Sequence, residues 1–158
     1  MVYSDASCEP RAFGLPAVRV CWLIFDGVNK YGAVVDVPDA VLRSFGERKQ
    51  YIAQGEALAP LLALHYHGRV MEGASVLFFI DNLGVLSGLT VGSSKAADLG
   101  TVLHGATLRA ARLNVAVWWE HVDSAANPSD GGSCFRVGAP LRPTPPPPSP
   151  CAQTRNSH

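Results

Sequence analysis

A net charge is the first thing this chain lacks: 13 Lys and Arg balance 13 Asp and Glu across 158 residues. Without a basic surplus there is no broad electrostatic footprint for a nucleic acid. A bound metal ion could still supply positive charge locally. C-x-x-C pairs are also missing. The four cysteines, Cys8, Cys21, Cys134 and Cys151, stand far apart, which argues against a zinc site. Cys21 lies in an apolar run and reads as a plain core residue, and the pattern suits a reducing compartment. The opening "MVYSDASCEP" has neither a charged n-region nor an apolar h-region, so no secretory signal is expected. The longest apolar run, "AVRVCWLIF", is too short to span a bilayer and contains an arginine. An intracellular location, cytoplasmic or nuclear, with no membrane partner follows as the expectation.

What is present is enough apolar sequence for one core. Residues 1–136 are expected to form the domain. Residues 137–158, which include "PTPPPPSP", read as a disordered, proline-rich tail that could serve as a linker or as a ligand for an aromatic-lined module.

Turn chemistry and periodicity divide the domain. "VYSDA" (2–6), "AVRVCWLIF" (17–25) and "YGAVVDV" (31–37) read as strands, the last two joined by the turn-forming "DGVNK". They predict an antiparallel three-stranded meander. "YIAQGEALAPLLAL" (51–64) has helical periodicity, with Pro60 expected to kink it. "ASVLFFID" (74–81) is a compact apolar strand, and "NLGVLSGL" a short helix. Ser93 and Ser94 are candidate N-caps for a helix over 95–112, and "LNVAVWWE" (113–120) is a fifth strand. "NPSDGGS" could open a last, short helix. The order β-β-β-α-β-α-β-(α) predicts an α/β fold with a mixed sheet: hairpins first, then strand–helix–strand crossovers.

Three acids fall at positions that ask for an explanation. Asp5 lies late in the first strand and Asp81 ends the fourth, so parallel neighbours would bring them to one end of the sheet. Glu56 shares a helical stripe with Ile52, Ala59 and Ala63, which turns it toward the core. None has a Lys or Arg beside it in sequence. Their convergence requires raised carboxyl pKa values or a divalent cation, and hard oxygen donors suit Mg²⁺ or Mn²⁺. Two such ions held by carboxylates are a common means of hydrolysing phosphodiesters. The plainer alternatives are a turn or cap role for Asp5, an N-cap role for Asp81 and a solvated Glu56.

With these elements in place the sequence resembles a ribonuclease H domain of the kind that follows reverse transcriptase in retroelements. "VYSDAS", "YIAQGEALAPLLAL", "FFIDN" and "WWEHVDSAANPSDGGS" resemble, in order, the first strand, the glutamate helix, the fourth strand and the late segment with its N-P-x-D. The resemblance implies a five-stranded ribonuclease H-like sheet flanked by helices. It implies two Mg²⁺ or Mn²⁺ ions on Asp5, Glu56, Asp81 and Asp130, and cleavage of the RNA strand of an RNA–DNA hybrid. It also implies an upstream reverse transcriptase in a larger polyprotein. Ser7, Asn82 and His121 become candidate substrate contacts, although His121 directly follows a strand and a plain surface histidine is the competing reading. His65 and His67 are expected to be solvated at a helix end. Two departures stand out: the arginine often found after the last acid is absent, and Gly131 and Gly132 weaken the helix there. For Asp130 a first-turn helix acid remains the alternative. The competing function is an inactive domain of the same fold. A 3′–5′ exonuclease is disfavoured, because its D-x-E on the first strand is here Asp5-Ala6-Ser7.

Overall fold

Asp26 organises the second hairpin. Its carboxylate accepts from the backbone N–H groups of Val28 (2.9 Å) and Asn29 (2.6 Å) and from the Tyr31 hydroxyl (3.1 Å). Those hydrogen bonds favour its charged form and lower its pKa to about 2. Gly27 takes the positive φ of 97° that the turn requires. The computed structural model describes residues 1–129. The proline-rich tail and Asp130 lie outside the described residues.

The strands are β1 (Val2–Glu9), β2 (Ala17–Phe25), β3 (Lys30–Asp36), β4 (Ser75–Ile80) and β5 (Ala116–His121). They form one mixed sheet in the order β3-β2-β1-β4-β5. β1 pairs antiparallel with β2, and β2 with β3; β4 runs parallel to both β1 and β5. The expected meander and crossovers are therefore present. β1 extends past the expected Ala6 because its second half pairs with β2 as far as Glu9 opposite Ala17. β5 starts later than expected: Leu113 still caps a helix, and Asn114 makes the reversal at φ 52°.

The helices are α1 (Asp39–Ser44), α2 (Ile52–Tyr66), α3 (Gly68–Met71), α4 (Leu83–Val91) and α5 (Ala97–Arg112). α1 had no counterpart in the sequence reading; Asp39 at its start is tied to Arg11 at 3.1 Å. α2 continues through Pro60 without a break. The hydrogen bond that Pro60 cannot donate is the one to the Glu56 carbonyl, four residues back. α5 is not capped by Ser93 or Ser94. Ala96 holds the cap position, and the Ser94 hydroxyl accepts from the Ala96 N–H, which shapes the preceding turn.

The core lies between one sheet face and the helices. Val18, Val20, Trp22, Phe78, Ile80, Leu64 and Leu103 are all buried there. Trp22 donates from Nε1 to His67 Nδ1 at 3.1 Å, and burial lowers the His67 pKa. His67 is thus half-buried and held neutral, not solvated as expected. Cys21 is buried and disulfide-bonded, and Cys8 is a free thiol. Cys21 is thus buried as expected of a core residue, whereas its disulfide was not expected. Among the described residues, no helix is long and apolar enough to cross a membrane.

The approach of α2 to the sheet depends on Gly55. A Cβ there would lie 2.9 Å from Ala6 Cβ and 3.0 Å from Val18 Cγ1. Neither neighbour can swing away, because the first is itself a Cβ and the second belongs to a stiff β-branched side chain. Gly55→Val is expected to cost about 1–3 kcal/mol by overpacking, read as a lowered midpoint in urea unfolding. An unchanged midpoint would show that helix and sheet are not in close apposition.

Candidate acidic site

The site lies where two parallel strands part. β1 and β4 are paired only at Val2–Phe78 and Tyr3–Phe79. β4 then ends at Ile80, whereas β1 continues alongside β2 to Glu9. Two residues beyond the last pair stand Asp5 on one chain segment and Asp81 on the other. The apolar run ahead of Asp81 anchors it firmly. Val76, Phe78 and Ile80 are buried under the helices, and Phe79, on the opposite face, stacks on Tyr3 at 4.6 Å.

Asp81 is not the cap of α4. That role belongs to Asn82, whose Oδ1 accepts from the N–H groups of Gly84 (3.0 Å) and Val85 (3.1 Å). Asp81 is therefore available for something else. Its Oδ2 accepts from the Ser124 hydroxyl at 3.0 Å, while its Oδ1 is buried with no hydrogen-bond partner.

Glu56 points inward, as its stripe predicts, with Ala59 and Ala63 also fully buried and Ile52 partly so. Its Oε2 is buried without a hydrogen-bond partner. Burial raises its pKa from the ordinary 4.5 to about 8; the negative charge of Asp81 adds to the rise, the nearby Asn82 side chain opposes it, and Asp5 adds a smaller push. The structure thus brings Asp5 and Asp81 each within electrostatic reach of Glu56. Asp5 is itself buried and is not free of interactions.

On the outer sheet face, Asp5, Ser7 and Glu9 of β1 line a narrow cleft of about 110 Å³ with Arg19, Cys21 and Val34. Arg19 is occupied there, its Nε donating to Asp36 at 2.9 Å. Asn82 spends its Oδ1 on the helix cap. His121 closes β5 and is half-buried. Trp119 packs on Phe78 at 4.9 Å, while Trp118 stands 68% exposed.

Two residues went unnoticed in the sequence reading. Ser124 holds Asp81, and Asn127 donates from Nδ2 to the Ser4 carbonyl at 3.1 Å, beside Asp5. Asn127 had a signal available: an asparagine before a proline is a turn former whose side chain reaches nearby backbone.

Carboxyl oxygens that are buried and unpartnered, and that repel one another once both groups are ionised, fit a small hard cation. Among the described residues, no three His, Cys, Asp or Glu side chains are grouped so as to enclose an ion. Mg²⁺ needs no such cage. It is commonly held by one or two carboxylates, with water and substrate phosphate completing its shell.

No protein-family description matches this chain, and no curated protein does. Solved structures do. The ribonuclease H1 of the halophilic archaeon Halobacterium salinarum NRC-1 is similar over 83% of this chain and 90% of its own, at 18% identity and a TM-score of 0.58. The N-terminal RNase H domain of Rv2228c from Mycobacterium tuberculosis, solved as a fusion with maltose-binding protein, is similar over 80% of this chain and 84% of its own, at 13% identity and a TM-score of 0.53. At such identities the likeness concerns architecture. The chain has the ribonuclease H-like fold, with its five-stranded mixed sheet and flanking helices.

The raised Glu56 pKa carries a sign. Between 4.5 and about 8 the folded chain holds a proton that the unfolded chain has released, so stability falls as pH rises through that window. In metal-free urea unfolding the wild type should lose stability from pH 4.5 to 8, and Glu56→Gln should flatten the loss. Equal slopes for the two proteins would place Glu56 in water.

Proposed function

We propose that this chain is a divalent-metal-dependent endonuclease that cleaves the RNA strand of RNA–DNA hybrids. The observation that carries the reading is the pair of buried, unpartnered carboxylate oxygens on Glu56 and Asp81, set beside Asp5 on a ribonuclease H-like sheet. A divalent cation bound there would polarise the scissile phosphate and lower the pKa of a coordinated water. Asp5 and Asp81 would hold it from two strands whose separation is fixed by the sheet. Glu56 would complete the donor set from α2. Asp130, three residues beyond Asn127 in sequence, is the fourth acid of the proposal. Ser7, Asn82 and His121 would touch the nucleic-acid backbone.

The retroelement origin and the upstream reverse transcriptase rest on the order of the four sequence segments alone. With no surplus of positive charge, the chain would bind its hybrid weakly and with a shallow salt dependence. That favours a domain that works beside a partner able to grip the duplex.

An inactive module of the same fold is the second reading. It is favoured by the absence of a three-ligand cluster among the described residues and by the missing arginine after Asp130.

A labelled RNA–DNA hybrid, incubated with Mg²⁺ or Mn²⁺, separates the two. The wild type should cut only the RNA strand. Asp81→Asn should lower the rate about a thousandfold, the kinetic equivalent of several kcal/mol of lost metal stabilisation. No cleavage by the wild type would leave the inactive module as the better account.

A further inference from the structure

The loop after β5 contains two polar residues that are among the most buried in the described chain. Asn127 is 4% exposed and Ser129 is 0% exposed, although neither lies in a helix or strand. Burying an amide and a hydroxyl is costly unless both are bonded. Here they bond each other and the sheet. Asn127 Nδ2 donates to the Ser4 carbonyl at 3.1 Å, and Asn127 Oδ1 accepts from the Ser129 N–H at 3.1 Å and the Ser129 hydroxyl at 2.6 Å. Pro128 reinforces the arrangement. A residue before proline is driven to extended backbone, and Asn127 sits at φ −79°, ψ 110°.

The other end of the same loop is tied as well. Ser124, in the 3₁₀ turn Ser124–Ala126, donates to Asp81 Oδ2 at 3.0 Å. One short loop therefore holds the Asp81 carboxylate at its start and the backbone next to Asp5 at its end. It bridges the gap left where β1 and β4 part. Apolar side chains could cover that gap equally well, but a fully satisfied polar cluster also fixes position.

We propose that Asn127 is a positioning residue for the acidic site: its side-chain amide latches the loop after β5 onto Ser4, which sets the separation of Asp5 from Asp81. The proposal rests on the reading of these acids as a cation site. The latch acts through the carboxylates and touches neither ion nor substrate.

The test is Mn²⁺ affinity, measured by titration calorimetry on the full chain. The proteins are wild type, Asn127→Ala, Asn127→Ser (which keeps a hydroxyl for Ser129), Ser124→Ala, which frees the other end of the same loop, and the Asn127→Ser/Ser124→Ala double variant. Loss of the latch should weaken Mn²⁺ binding about tenfold to a hundredfold, as for residues that orient metal ligands. The double variant should bind no more weakly than the worse single variant, because both changes remove one constraint. Wild-type affinity in either folded Asn127 variant, strictly additive losses, or a wild type that does not bind Mn²⁺ would overturn the proposal. If neither variant folds, amide hydrogen exchange in the wild type decides. A slowly exchanging Ser129 N–H supports the latch, and a rapidly exchanging one overturns it. Hybrid cleavage by the same wild-type sample, run in parallel, judges the nuclease reading separately. Binding with non-additivity but no cleavage would uphold the latch and reject the nuclease.

Discussion

Repulsion between buried carboxylates is the constraint on which the rest of this site depends. Glu56 and Asp81 each keep one buried oxygen without a hydrogen-bond partner, and among the described residues no basic side chain forms an ion pair with either. A fold tolerates such an arrangement only if the surrounding structure holds the groups in place. Three features do so here. The apolar β4 strand fixes Asp81, Gly55 admits α2 close enough to the sheet to deliver Glu56, and the early parting of β1 and β4 leaves space beside Asp5. The metal-free chain relieves the repulsion by keeping Glu56 protonated up to about pH 8. A bound cation would relieve it in a way that also does chemistry.

The helix that carries Glu56 is secured from both sides. Gly55 and Ala59 lie flush against the sheet. At the other side the buried Gln54 amide donates to Asp98 on α5 at 3.2 Å, and Asp98 is also paired with Arg48. Position and phase of the glutamate are thus set by packing against a sheet and a second helix. Helix propensity plays a minor part, since α2 contains both a glycine and a proline.

Much of this was legible in the sequence because it is written in short-range patterns. The sheet's first half followed from turn residues such as Asp26 and Gly27, and the inward phase of Glu56 from its spacing to Ile52, Ala59 and Ala63. What stayed hidden depends on partners distant in sequence. His67 looked solvated because the indole that holds it, Trp22, is 45 residues away. Asn127 looked like a turn residue because its acceptor lies 123 residues back. The second half of β1 was missed because "SCE" has little strand character apart from its pairing with β2. Asp81 was ambiguous between ligand and cap until Asn82 was seen to fill the cap. Asp130 lies outside the described residues, and its part in the site rests on the N-P-x-D resemblance.

The central claim is that Glu56 is a buried acid whose charge is stabilised by a cation shared with its neighbours. The most direct measurement is an NMR titration of the Glu56 carboxyl carbon with and without Mg²⁺. Without metal it should titrate near 8, and with Mg²⁺ its midpoint should move to lower pH as the ion competes with the proton. A midpoint near 4.5 that Mg²⁺ leaves unmoved would contradict the account.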